Sequence, residues 1–149
     1  MASRDLKDLH PRMKEKAVIF IQECIRHKID FIITCTWRSG IEQNILYEQG
    51  RTKPGRIVTN ARAGQSKHNF TIDGKPASKA FDVVPVVNGK PVWDSRNPVW
   101  QELGAIGLSI GLDWAGVWSK FKEYPHFQLK EENYLGSFSP SSSSIALVQ

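Results

Sequence analysis

The first part of the chain carries a helical pattern of apolar residues, a short apolar run and a second helix signal. Over residues 8–29 the apolar side chains recur three or four positions apart, which predicts an amphipathic helix with Pro11 in its first turn. Residues 31–37 are β-branched and aromatic, so this bounded segment predicts a buried strand. Ser39 and Glu42 have the spacing of a capping box, which predicts a second helix that Gly50 ends.

The middle of the chain begins with a polar stretch and continues into a hairpin. Residues 51–79 are basic, polar and interrupted by Gly and Pro, which indicates a long ordered loop. Loops of this length inside a compact domain are usually functional. Residues 80–87 predict a strand, and Asn88-Gly89 predicts a tight turn that leads into residues 91–93.

The last part of the chain predicts one helix, one strand and a tail. Asn97 and Pro98 start a helix with one apolar face, which Gly111 ends, and a strand follows near residues 126–129. Residues 133–149 are rich in Ser and indicate a flexible C-terminal tail. Helices and antiparallel strands in mixed order predict an α+β fold. We therefore expect one domain, residues 1–132, with an antiparallel sheet flanked by about three helices.

Composition limits the classes of protein to consider. With 149 residues, 40% hydrophobic and 23% charged, the chain is suited to one globular domain with a proper core. The N-terminus lacks the apolar segment of a signal peptide, so we expect synthesis in the cytoplasm. Cys24 and Cys35 are too few for a disulfide scaffold, and we expect buried free thiols. Most tryptophans are expected to pack in the core or at its rim rather than form a glycan-binding platform: Trp93, Trp100, Trp114 and Trp118.

The formal net charge of +5 is concentrated in one segment. Residues 51–79 hold seven Lys or Arg residues and a single acid, Asp73. Such a segment favours an anionic partner, which could be a nucleic acid, an acidic membrane surface or a polyanionic cell wall. A basic loop that is merely solvated explains the charge equally well.

Two of the four histidines stand in contexts that suit metal chemistry. His10 and His27 belong to the first helix and are expected at the surface. His68 lies in the polar loop, Asp82 lies in an apolar strand, and His126 begins the last strand. Two imidazoles and one carboxylate make a three-ligand zinc site with an open fourth position, as catalytic zinc sites have. Spacing alone leaves open a purely structural hydrogen-bonding role.

Four motifs together resemble a known family. In chain order they are Thr36-Trp37-Arg38-Ser39, Ser66-x-His68, Ala80-x-Asp82 and Glu123-x-x-His126. This set resembles the zinc D-alanyl-D-alanine carboxypeptidase superfamily, and within it the L-alanyl-D-glutamate peptidases of phage endolysins. The resemblance runs from the first helix to about Leu129 and implies a fold of the hedgehog/D-Ala-D-Ala-peptidase type.

The resemblance also implies roles for particular residues. It makes His68, Asp82 and His126 the Zn²⁺ ligands and Glu123 the general base. It makes Arg38 the group that binds or polarises the substrate. Ser66 is expected to assist in substrate binding.

The spacing between two of these motifs departs from the family. In the compact family motif S-x-H-x-x-G-x-A-x-D the histidine and the aspartate lie closer together. Here fourteen positions separate His68 from Asp82, seven more than in that motif. The added residues include 71–76, and Asp73-Gly74 there predicts the turn of an extra hairpin beside the site.

The function implied by the resemblance is zinc-dependent hydrolysis of the peptidoglycan stem peptide, in host lysis by a phage endolysin. One alternative is a D-alanyl-D-alanine carboxypeptidase or dipeptidase of the same fold. Others, from different classes, are a basic metal-dependent nuclease and a non-catalytic zinc-containing module that binds cell walls. We expect a monomer that binds no nucleic acid and uses residues 51–79 to contact anionic envelope polymers. Made in the host cytoplasm, it would reach the wall or periplasm after the membrane is permeabilised.

Overall fold

Three α-helices and seven strands form the part of the chain that the structure, a computed structural model, describes: residues 1–131. The helices are α1 Pro11–Arg26, α2 Gly40–Glu48 and α3 Val99–Ser109. The strands are β1 Asp30–Cys35, β2 Thr71–Ile72, β3 Lys75–Pro76, β4 Ala80–Val87, β5 Lys90–Pro91, β6 Leu112–Trp114 and β7 His126–Leu129. None of the helices in this part is long and apolar enough to cross a bilayer. The predicted tail, residues 133–149, and the predicted boundary at residue 132 lie outside it.

One antiparallel sheet organises the fold, with the strand order β1-β4-β7-β6 and with β5 paired to β4. The predicted α+β architecture is confirmed. The small hairpin β2-β3 forms a separate two-stranded sheet, as predicted for the added residues between His68 and Asp82. Both hairpin turns place two successive residues at positive φ, which Asp73-Gly74 and Asn88-Gly89 tolerate.

The core lies between one face of the large sheet and the helices α1 and α3. Phe20 from α1 packs edge to face on Phe81 of β4, with ring centroids 5.3 Å apart. The helix α3 approaches the sheet so closely that a Cβ at Gly107 would lie 2.3 Å from the ring of Phe127. Because side chains alternate along a strand, Asp82 and His126 lie on the opposite face from their neighbours Phe81 and Phe127. The core therefore leaves one face of β4 and β7 free for polar chemistry.

Several predicted boundaries were wrong by a few residues, for local reasons. The first helix covers Pro11–Arg26 rather than residues 8–29, because His10 caps its start. At its end Lys28 adopts a positive φ and Ile29 N–H donates to Cys24 O, 2.9 Å, which closes the helix. The strand β6 was not predicted, since three residues show no readable alternation and form a strand only by pairing with β7.

Candidate active site

The sheet register brings two of the predicted site residues together. Asp82 of β4 pairs directly with His126 of β7, so their side chains share one face. A bulge between Ile33 and Cys35 in β1 shifts that strand by one residue and places Cys35 opposite Asp82. The third residue, His68, comes from a single 3-10 turn, Lys67–Asn69. Residues far apart in the sequence thus meet at the end of three adjacent strands.

Three potential ligand atoms form a small triangle at this point. The distances are 3.1 Å from His68 Nε2 to Asp82 Oδ1, 3.2 Å from His68 Nε2 to His126 Nδ1, and 3.0 Å from His126 Nδ1 to Asp82 Oδ1. Tetrahedral zinc bound at its usual distances to N and O atoms would hold its ligand atoms about 3.3 Å apart. The triangle is therefore close to the size of one face of such a coordination sphere.

Hydrogen bonds on the outer side of each imidazole determine which nitrogen faces the centre with its lone pair. His68 Nδ1 donates to the carbonyl oxygen of Thr36 at 2.8 Å, and His126 Nε2 donates to Gln128 Oε1 at 2.9 Å. In neutral imidazoles this leaves His68 Nε2 and His126 Nδ1 as acceptors, both directed at the Asp82 carboxylate. Three acceptors converging without a proton repel one another, so the donor set requires a cation. The residues present fit a zinc ion.

The pKa values of His68 and Asp82 show that the site favours a positive charge next to the carboxylate. Burial alone would lower the pKa of His68, but the neighbouring Asp82 carboxylate raises it to about 10. Burial alone would raise the pKa of Asp82, but His68 and His126 hold it well below its usual range. Without a metal, a proton on His68 supplies the positive charge that the carboxylate demands.

Arg38 lies against the same carboxylate rather than on the open surface. Its Nη2 is 3.8 Å from Asp82 Oδ2, the oxygen that does not face the histidines. Its Nη1 donates to Oε1 of the fully buried Gln43 at 2.9 Å. Gln43 in turn donates to Ala61 O, which ties α2 to the basic loop. The guanidinium is therefore held in one orientation at the edge of the site.

Glu123 stands beside the triangle on the turn that leads into β7. The turn is closed by a hydrogen bond from His126 N–H to Glu123 O, 3.2 Å. No hydrogen bond joins the Glu123 carboxylate to another side chain within residues 1–131. Burial raises its pKa, although the positive charges of His126, His68 and Arg38 oppose that shift. A carboxylate that is partly desolvated and not engaged by the fold is suited to accept and hold a proton.

Ser66 supports the turn that carries His68. Its Oγ accepts the backbone N–H of His68 at 3.2 Å, and Asn69 completes a capping box. The backbone N–H of Arg38 donates to His68 O at 2.9 Å, which fastens this turn to the end of β1. Ser66 also lines the cavity next to the site. Its proposed contact with substrate stays a prediction.

Cys35 is a neighbour of the site that the sequence did not suggest. It is a buried free thiol, as expected. Its Sγ, His68 and Asp82 offer ligand atoms within 4.8 Å of one another, a wider set than the triangle with His126. His68 Nδ1 lies 3.5 Å from the thiol, and that atom already donates to Thr36 O. We therefore assign the candidate metal position to the triangle and not to the thiol.

An open cavity of about 720 Å³ extends from the triangle. Arg38, Ser66 and Glu123 line it with the three candidate ligands, and so does the 61% exposed Trp93. Trp100 and Trp114 are buried in or against the core as predicted, whereas Trp93, predicted to pack with them, is exposed. None of the described residues of the β2-β3 hairpin lines the cavity.

Two residues that contact the site, Gln128 and Gln43, were not predicted from the sequence, for different reasons. Gln128 follows His126 by two positions in a strand and so lies on the same face, a spacing from which its contact could have been predicted. Gln43 had no such signal, because it resembles any other polar residue of a helix.

The sequence and the fold both have known relatives. Residues 59–129 match the family model described as D-alanyl-D-alanine carboxypeptidase. The chain is 37% identical over 129 residues to the peptidoglycan L-alanyl-D-glutamate endopeptidase CwlK of Bacillus subtilis (strain 168), covering 82% of this chain and 74% of that protein.

A phage protein and a solved structure extend the likeness. The chain is 32% identical over 99 residues to the L-alanyl-D-glutamate peptidase of Listeria phage A118, covering 64% of this chain and 33% of that protein. The crystal structure of the Serratia marcescens L-Ala D-Glu endopeptidase ChiX matches with a TM-score of 0.61 at 21% identity. That match covers 87% of this chain and 89% of the other and supports the fold.

Proposed function

Since the chain belongs to the D-alanyl-D-alanine carboxypeptidase family of peptidases, we propose that it cleaves the stem peptide of bacterial peptidoglycan at the L-alanyl-D-glutamate bond. The resemblance inferred from the four motifs is thereby confirmed at the level of the family. The observation that carries the proposal is the triangle of His68, Asp82 and His126 at the end of an open cavity, with Glu123 beside it.

Zinc is the cofactor of this proposal, with His68, Asp82 and His126 as its ligands. Two nitrogens and one carboxylate oxygen are ligands that zinc prefers, and three protein ligands leave the fourth position for catalysis. When bound, zinc acts as a Lewis acid that polarises a carbonyl group and makes water a stronger nucleophile at neutral pH. Thr36 O and Gln128 Oε1 fix the two imidazole rings, as outer partners of zinc ligands commonly do.

Glu123 is the proton carrier of the proposed reaction. Its carboxylate takes a proton from the attacking water while the water oxygen bonds to the scissile carbonyl carbon. The same carboxyl group returns the proton to the amide nitrogen as the carbon–nitrogen bond breaks, so the two transfers balance. The burial that raises its pKa favours retention of the proton between the two steps.

Arg38 acts on the substrate from a fixed position. The bond to Gln43 and the contact with Asp82 restrain the guanidinium, and Arg38 lines the cavity. A planar, permanently charged donor stabilises a substrate carboxylate or the negative charge that develops on the carbonyl oxygen. Ser66, on the same cavity wall, is proposed to assist in binding.

The decisive experiment is digestion of purified peptidoglycan with the zinc-loaded protein, followed by mass spectrometry of the new chain ends. Cleavage at the proposed bond exposes an alanine carboxyl group and a glutamate amino group. Release of free D-alanine instead would favour the carboxypeptidase alternative that the family description permits. New ends of neither kind would overturn the peptidase proposal.

Metal analysis of variants tests the ligand assignment separately. His68→Ala and His126→Ala should lose most of their zinc, because each removes one of three ligands. Asp73→Asn is the matched control, since Asp73 lies exposed at the tip of the β2-β3 hairpin and should leave zinc unchanged. Full zinc occupancy in both histidine variants would refute the assignment.

The biological setting that goes with this proposal is lysis of a bacterial host by a phage enzyme at the cell wall. The match to the Listeria phage protein supports it. Expression of the chain in a bacterial cytoplasm, with and without a membrane-permeabilising protein, tests it. Lysis that depends on permeabilisation is expected, and lysis of equal extent without it would contradict the proposed route.

A further inference from the structure

The basic loop divides into residues that hold its own structure and residues that face the cavity. Arg51 donates to the carbonyl oxygens of Tyr47 and Thr59, and its guanidinium stacks 3.8 Å from the centre of the Tyr47 ring. Lys53 pairs with Glu48 at 3.2 Å. Arg56, in contrast, lines the cavity that contains the catalytic candidates. The charge of residues 51–79 therefore does not act as one uniform surface.

The loop holds Arg56 in place through its backbone rather than its side chain. Gln49 Nε2 donates to Arg56 O at 3.0 Å, and Gly50 N–H donates to Lys53 O at 2.8 Å. Gly50 has φ +82°, and a Cβ there would lie 2.7 Å from Ile57 N, so the loop folds tightly against the end of α2. The guanidinium of Arg56 is thus carried on an ordered wall while it stays available to a ligand.

Lys122 supplies a second cation to the same cavity. It is exposed and precedes Glu123 in the segment that leads to β7. Within residues 1–131, the side chains of Arg56 and Lys122 have no ion pair or hydrogen bond, whereas the third cavity cation, Arg38, contacts Asp82 and Gln43. Two exposed cations without acidic partners in one cavity favour an anionic ligand.

We propose that Arg56 and Lys122 form a subsite for the free carboxylate of the glutamyl residue beside the scissile bond, an inference that rests on the proposed function. A glutamyl residue has two carboxyl groups, of which only one continues the peptide chain. The other is an anion close to the bond that is cut. A D-alanyl-D-alanine end also has a free carboxylate next to its amide bond, so this subsite distinguishes a free acid from an amide and not a glutamyl residue from a terminal alanine.

Two stem peptides that differ in a single group test the subsite. In one the second glutamate carboxyl is free, and in the other it is amidated. The wild-type enzyme is expected to cleave the free acid with a kcat/KM about fivefold above that of the amide, which is the upper end for a solvent-exposed charge pair. Salt should reduce this preference, because the charges are exposed.

Variants assign the preference to the named residues. Arg56→Gln and Lys122→Gln should each lower kcat/KM for the free acid and leave the amide nearly unchanged, and the double variant should abolish the preference. Lys53→Gln is the matched control from the same loop, with its side chain directed to Glu48, and should keep the wild-type preference.

The possible results separate the subsite from the activity. Equal cleavage of both peptides by the wild type, or an equal loss on both peptides in Arg56→Gln, would overturn the subsite while leaving the peptidase intact. A failure of the wild type to cleave either peptide would overturn the proposed function, and the subsite with it.

Discussion

Replacement of Glu123 by glutamine separates catalysis from stability at one position. Glutamine has the same shape, and no hydrogen bond to another side chain within residues 1–131 depends on the Glu123 carboxylate. The free energy of unfolding and the zinc content should therefore remain close to those of the wild type. The amide cannot accept a proton, however, and general bases typically contribute about 10²–10⁴-fold in rate. This corresponds to about 2.7–5.4 kcal/mol of transition-state stabilisation.

The assay measures peptidoglycan cleavage, zinc content and unfolding on the same preparations of wild type and Glu123→Gln. Glu102→Gln, an exposed acid of α3, is the control for loss of one negative charge. A rate loss of at least about a hundredfold, with zinc retained, supports the general-base role. Cleavage within a few fold of wild type would refute it, and loss of zinc would place Glu123 among the groups that hold the metal.

Three further predictions test the substrate contact, the core and the charge balance of the site. Arg38→Lys should retain zinc but lose turnover in the peptide assay, because an ammonium group cannot reproduce a planar two-point contact. Gly107→Ala should lower the free energy of unfolding by about 1–3 kcal/mol in denaturant titrations, because its Cβ would overlap the Phe127 ring. Without metal, the free energy of unfolding should fall as pH rises from 6.5 through about 10, because His68, whose pKa is raised, loses its proton over that range. It should fall again at acid pH below 3.8, because Asp82, whose pKa is lowered, is then protonated. Unfolding with chelator present, measured across pH, checks the last prediction, and a flat profile would contradict it.

Local signals in the sequence were sufficient for the elements that carry the site. The strand β4 was predicted with the observed bounds, Ala80–Val87, because its apolar run is closed by Asn88-Gly89. The start of α2 was predicted because the capping box of Ser39 and Glu42 is a contact over three residues. Features of this kind depend on neighbours in the chain and can be recognised without a tertiary structure.

Contacts between distant segments could not be predicted in the same way. The carbonyl group of Thr36, just after the bulge in β1, accepts a hydrogen bond from His68, which lies 32 positions later in the chain. The burial of Gln43 and its bond to Arg38 depend on where the basic loop folds over α2. The sequence predicted a single charged surface for residues 51–79, whereas in the fold Arg56 lines the cavity and the two basic residues before it, Arg51 and Lys53, do not.

The outer hydrogen bonds of the site explain how a repulsive set of ligands is kept in place. In the deprotonated form that binds a metal, His68 and His126 present lone pairs to a carboxylate, an arrangement that would separate if the rings were free to rotate. The Thr36 carbonyl oxygen accepts from His68 Nδ1, and the Gln128 amide oxygen accepts from His126 Nε2. These two bonds set the orientation of each ring before a metal binds. Loss of the Gln128 acceptor should therefore weaken metal binding more than it weakens the fold, because the cost falls on the orientation of a ligand and not on the packing of the core.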